Sequence, residues 1–135
     1  MAQFKWYESS FPHERYERTL AFVKKNLSAG SGILDVGIDN PLSELLRSNG
    51  YIVENTRSKD LDLDFDEVSS TRHSTLTAFE VLEHMVSPFP LLQSAKANKL
   101  FASVPLDLWF SKAYKGVMDP FDKHYHEFEP WQFDW

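Results

Sequence analysis

The stretch Ile33-Leu34-Asp35-Val36-Gly37-Ile38-Asp39-Asn40-Pro41 decides how this chain folds. A short apolar run closed by an acid and a glycine predicts a buried parallel strand that ends in a tight turn. Glycine suits that turn because a residue without Cβ takes positive φ and lets the backbone approach a ligand closely. After Gly37 the glycines stop. Asn40 followed by Pro41 instead predicts a helix start, with Asn40 as the cap and Pro41 in the first position. The turn therefore reads in two ways, as a ligand cradle or as a capped helix start.

Working outward, Leu42, Leu45 and Leu46 supply the buried face of that helix, and Asn49-Gly50 closes it. Tyr51-Ile52-Val53 predicts a second strand ending near Asn55-Thr56. Strand, turn, helix and strand in this order form a βαβ unit, hence a parallel pair. Upstream, Pro12 opens a helix with Ser10 as a possible cap. Its apolar face is Tyr16, Leu20, Val23 and Leu27, and Ser28 to Gly32 ends it.

Downstream, the acidic run Asp60-Leu61-Asp62-Leu63-Asp64-Phe65-Asp66 fits an edge strand or a solvated loop. It lacks the glycine and the spacing of a calcium-binding loop. Leu76 to Phe79 is a third strand. Glu80 to Met85 turns into a helix that continues past Pro88-Phe89-Pro90 through Leu91, Leu92 and Ala95. Lys99 to Val104 is a fourth strand, stopped by Pro105, and Glu129-Pro130-Trp131 opens a last helix. The expected spatial order sets the first strand between the second and the third. The expected fold is an α/β Rossmann-like three-layer sandwich with a mostly parallel sheet, in one domain, with a crevice at the C-terminal strand ends.

The net charge of −6 over 135 residues argues against a nucleic-acid surface, which needs clustered Lys and Arg. The chain has no cysteine, which excludes disulfides and thiolate chemistry and fits a cytoplasmic protein. No apolar run approaches membrane-spanning length, and no signal-peptide core is seen at the N-terminus. His124 and His126, with Asp119, Asp122 and Glu127, fit a solvated loop, a metal cluster or a general base, since neutral histidine is poised for proton transfer near neutral pH. Trp109, Phe110, Tyr114, Trp131, Phe133 and Trp135 could wall an apolar pocket or cover the core.

Three segments together resemble a family. Ile33 to Gly37, then Phe79-Glu80-Val81-Leu82-Glu83-His84 followed by Pro88, then Ser103-Val104-Pro105, are similar to class I S-adenosylmethionine-dependent methyltransferases. The nearest group is the small-molecule one similar to ubiquinone-biosynthesis methyltransferases. His124-Tyr125-His126-Glu127-Phe128 with Pro130 resembles the segment after the fourth core strand in that group. The resemblance runs from Tyr16 to the C-terminus, and Val-Leu-Glu-His carries most of its specificity. It implies S-adenosylmethionine as cofactor and a small-molecule acceptor, with no nucleic-acid or membrane partner.

By the same resemblance, Asp35 and Gly37 match the first cofactor motif, with Asp39 and Asn40 beside the cofactor tail. Phe79 and Glu80 would lie along the cofactor, and His124 or His126 would act as base. The motif's second and third glycines fall at Asp39 and Pro41. The ribose acid, due about 20 residues after the first glycine, falls near Thr56 or Arg57. Glu54 and Asp60 are the nearest substitutes. Glu83 and His84 either line the cleft or orient the following loop. The family usually continues with two further strands, so the fourth strand would leave an open edge able to pair with a second copy. The rival expectation is a methyltransferase-like domain that has lost the cofactor and serves as a binding or assembly module. A metal-dependent hydrolase is a third class, without a strand-linked ligand set to accompany the histidines.

Overall fold

The computed structural model describes residues 13–105 and 123–133. Its elements run α1 (His13–Asn26), β1 (Gly32–Asp35), α2 (Pro41–Ser48), β2 (Ile52–Asn55), α3 (Asp66–Ser70), β3 (Thr75–Phe79), a 3-10 turn (Leu82–His84), α4 (Pro88–Ser94), β4 (Lys99–Ser103) and a final 3-10 turn (Pro130–Phe133). Ser10, Pro12, Trp109, Phe110, Tyr114, Asp119, Asp122 and Trp135 lie outside the described residues.

The four strands form one parallel sheet in the order β2-β1-β3-β4. Alternation along the strands sends side chains to opposite faces and produces two cores. On one face Ile33 and Val53 pack with Val23, Leu27, Leu42, Leu46 and Tyr51, which are contributed by α1, α2 and their flanks. On the other, Leu34, Val36, Leu76 and Ala78 pack with Val68 of α3, Leu91 of α4, and Leu82, Met85 and Phe128. The result is a small α/β Rossmann-like sandwich with helices on both faces of the sheet. Each fully buried Leu or Ile in these layers contributes about 1.5–3 kcal/mol.

The Asn40-Pro41 signal forms the predicted cap. Asn40 Oδ1 accepts from the Leu42 and Ser43 amides at 3.0 and 3.1 Å, and Pro41 opens α2. The acidic run takes the loop form. Asp60 O accepts from the amide of Asp64 at 2.9 Å to close a turn, and the short α3 follows. Leu61 and Phe65 pack on the core while Leu63 faces solvent, so the alternation serves a loop lying on the protein.

The helix expected to run from Glu80 through Ala95 is instead two pieces. A 3-10 turn ends at His84, and α4 starts at Pro88. Proline cannot supply the amide that a continuing helix needs, and it keeps Ser87 out of helical backbone, at φ −140° and ψ 87°. The final segment is likewise a 3-10 turn. Among the described residues β4 is the outer strand on its side, with Leu100 exposed. No helix among them is long and apolar enough to cross a membrane.

Candidate functional site

Chain order and strand order together place a crevice. From β1 the chain moves to β2 on one side, then crosses back to β3 on the other. Loops leaving β1 and β3 therefore diverge, and a cleft opens between their C-terminal ends. It measures about 1020 Å³ and is walled by Asp35 to Ile38, Ser58 to Asp62, Phe79 to Val81 and Glu83 to Val86. Arg15, His124 and Tyr125 complete the rim.

The floor is a buried polar network around Asp35. Its carboxylate accepts from Thr77 Oγ1 at 2.5 Å, Ser43 Oγ at 2.9 Å, Asn55 Nδ2 at 3.1 Å and Asn40 Nδ2 at 3.4 Å. Burial pushes the carboxyl above its usual range, and the four hydrogen bonds hold the rise back. Asp35 thus joins β1, β2, β3 and α2.

The turn above it is internally satisfied. Gly37 adopts φ +113°, and its amide donates to Thr56 Oγ1 at 2.9 Å. Asn40 is spent on the helix cap. Asp39 pairs with Arg47 at 2.8 Å, and Arg47 also holds Asn55 and the Val53 carbonyl.

On the opposite wall Glu80 is the one non-glycine residue with positive φ (55°) among those described. That conformation costs about 1–3 kcal/mol and persists only where surrounding contacts enforce it. Here its amide donates to Ser103 O at 2.8 Å, Ser103 Oγ donates to Oε1 at 2.9 Å, and Arg15 of α1 reaches Oε2 at 3.1 Å. The bend turns the chain out of β3 and over the cleft.

Beyond the bend, residues 123–128 are fastened onto the 3-10 turn. The Tyr125 amide donates to Glu83 O at 2.7 Å, His84 Nδ1 contacts Lys123 O at 3.2 Å, and His126 Nε2 contacts Val86 O at 3.0 Å. Phe128 anchors the strap in the core. The rings of His84 and His124 meet edge to face with centroids 4.6 Å apart. Glu83 is 1 % exposed. Asp62 crosses to the same region, accepting from the Val86 and Ser87 amides at 2.9 and 2.7 Å, ahead of α4. Glu83 and His84 therefore organise the strap, and Asp62 serves the start of α4.

Of the residues singled out from sequence, Asp35, Gly37, Asn40, Asp60, Phe79, Glu80, Glu83, His84 and His124 meet at this cleft. Asp39 does not line it, nor does His126, whose ring is tied to Val86. Glu54 also stands apart, its carboxylate 3.1 Å from His73 Nε2. Trp131 is exposed, so it walls no pocket there. Arg15, Asp62 and Ser103 were not anticipated. Their partners lie 23 or more positions away, and no local pattern marks them. No family model, curated protein or solved structure matches the chain at a significant level.

Proposed function

We propose that the cleft binds S-adenosylmethionine and that the protein transfers its methyl group to a small-molecule acceptor. The observation that carries this reading is a cleft at the switch point of a parallel sheet, with Gly37 at φ +113° on one wall and strained Glu80 on the other. The lining chemistry agrees. Asp60, Asp62, Glu80 and Glu83 outnumber Arg15 and Lys59, which suits a ligand bearing ammonium and sulfonium charge.

The cofactor supplies an electrophilic methyl group on positively charged sulfur. The protein's part is chiefly to hold the two reactants in line, which lowers the barrier by proximity and orientation. Gly37 leaves room for close backbone approach. Asp60 takes the ribose hydroxyls in this reading, because it lines the cleft and Glu54 is engaged by His73. His124 serves as the base for a hydroxyl or carbon acid, since it lines the cleft and His126 does not.

A second reading has its own observation. The polar groups of the Gly37 to Asn40 turn are engaged by Thr56, Arg47 and the α2 amides, as a cofactor-free capped helix requires. In that reading the domain is a binding or assembly module. Calorimetric titration with S-adenosylmethionine and its demethylated product separates the two. Saturable binding that weakens in Asp60→Asn and survives Glu54→Gln supports the transferase. Absence of heat with either ligand at millimolar concentration leaves the module.

A further inference from the structure

We propose that Glu83, His84 and His124 form a binding site for a divalent transition-metal ion of the zinc class. Each residue offers one ligand atom, and these atoms all lie within 4.8 Å of one another. They come from two separate segments, the 3-10 turn after β3 and the strap at residues 123–128. The fold, rather than a local motif, assembles them. The pairing read from sequence, His124 with His126, is replaced, because the His126 ring turns to the Val86 carbonyl.

Three features favour a metal. First, a carbonyl only accepts, so the contact of His84 Nδ1 with Lys123 O puts the ring proton on Nδ1. In the neutral ring the Nε2 lone pair is then presented towards Glu83, 3.8 Å from Oε1. A metal-bound imidazole is held in this way, with its far nitrogen donating to a carbonyl. Second, the set is two imidazoles and one carboxylate, which selects zinc, cobalt or nickel over magnesium or calcium. Third, all three residues line the cleft, so a fourth coordination position opens onto it, as in sites that keep a place for water or substrate. Tetrahedral bonds of about 2.0–2.2 Å place ligand atoms roughly 3.3 Å apart. The 3.8 Å between His84 and Glu83 must close by about half an ångström, and the widest separation in the set, up to 4.8 Å, by up to about 1.5 Å, which takes rotation of more than one of the three side chains. The inference stands on these three side chains and does not depend on S-adenosylmethionine binding; with the ion bound, His124 is a ligand and no longer the base of the transferase reading.

The test uses the full chain, stripped with a chelator and titrated with Zn²⁺ by calorimetry, with Co²⁺ as a spectroscopic probe. The expected result is one equivalent bound at micromolar affinity or tighter, with intense visible bands for Co²⁺ that report low coordination. His124→Ala and His84→Ala each weaken binding by at least about tenfold. His13→Ala, at the exposed start of α1, leaves it unchanged. Should either alanine variant misfold by circular dichroism, Glu83→Gln keeps the side-chain shape and is expected to show the same loss. Zn²⁺ also raises the Tm of the unaltered chain and leaves that of the weakened variants in place. Binding weaker than about 100 µM, or binding of normal strength in the folded Glu83, His84 and His124 variants, identifies an adventitious ion only and overturns the site.

Discussion

Thr77 Oγ1 donates a 2.5 Å hydrogen bond to Asp35 Oδ1, and the two residues are register partners across β1 and β3. The bond closes the sheet beneath the cleft at the point where the strand order turns back. A carboxylate there must be desolvated, and burial raises its affinity for a proton.

The sign of the resulting pH dependence follows from linkage. An acid whose folded pKa lies above its unfolded value binds the proton more tightly when folded. Its stabilising contribution is complete below the unfolded value of 3.8 and is lost as pH rises through the folded pKa. Urea unfolding of the parent and Asp35→Asn at several pH values tests this. The stability of the parent relative to the variant should grow as pH falls from neutral towards 4. A pH-independent difference would show that Asp35 titrates normally in the fold. Asp35→Ala, which strands the Thr77, Ser43 and Asn55 donors, should cost roughly 2–4 kcal/mol at neutral pH.

Glu80 permits a cleaner separation of backbone from side chain. Glu80→Gly and Glu80→Ala both remove the bonds to Ser103 and Arg15. Only glycine relieves φ 55°. Glu80→Gly should therefore be more stable than Glu80→Ala by about 1 kcal/mol, measured as a shift in urea midpoint at constant slope. Equal stability of the two would mean that the bend relaxes once its side-chain contacts are gone.

These cases mark where the sequence is informative. Asn40 and Pro41 act within one helical turn, and the short apolar runs at Ile33 to Val36 and Leu76 to Phe79 are what strands buried on both faces require, so the strands, the capped α2 and the strand order were legible. Thr77 meets Asp35 across 42 positions, and Arg15 meets Glu80 across 65. No local preference encodes such pairs, because the sheet creates them. The acidic run misleads differently. Its alternating Leu and Asp have the period of a strand, yet Leu61 and Phe65 pack a loop and Asp62 leaves it to hold other backbone amides. Glu54 and Asp60 looked equivalent by distance from Gly37, and only the fold shows that His73 occupies the first.

Gly32 is fixed by its neighbour rather than by its own backbone angles. A Cβ built there would sit 2.4 Å from His73 Nδ1, so Gly32→Ala must push the ring aside. The expected cost is roughly 1–3 kcal/mol. In a His73→Ala background the obstacle is gone, and the same substitution should be close to neutral. A double-mutant cycle in urea should return a coupling above about 1 kcal/mol. Additive effects within about 0.5 kcal/mol would rule out the clash as the cause.

Asp62 ties the acidic loop to the start of α4 through two charge-assisted bonds to the Val86 and Ser87 amides. Neither amide has a helical carbonyl to donate to, because α4 begins only at Pro88. Asp62→Ala should cost about 1–2 kcal/mol, the loss expected for a capping carboxylate at a half-exposed site. The local readout is sharper than the global one. Hydrogen exchange at the Val86 and Ser87 amides should accelerate at least about tenfold while that at Leu34 and Leu76 in the sheet follows only the change in global stability. Asp62→Asn keeps one acceptor oxygen and should fall between the parent and the alanine variant. If exchange at Val86 and Ser87 stays at the parent rate in Asp62→Ala, the loop and the start of α4 are held together by Leu61 and Phe65 packing instead.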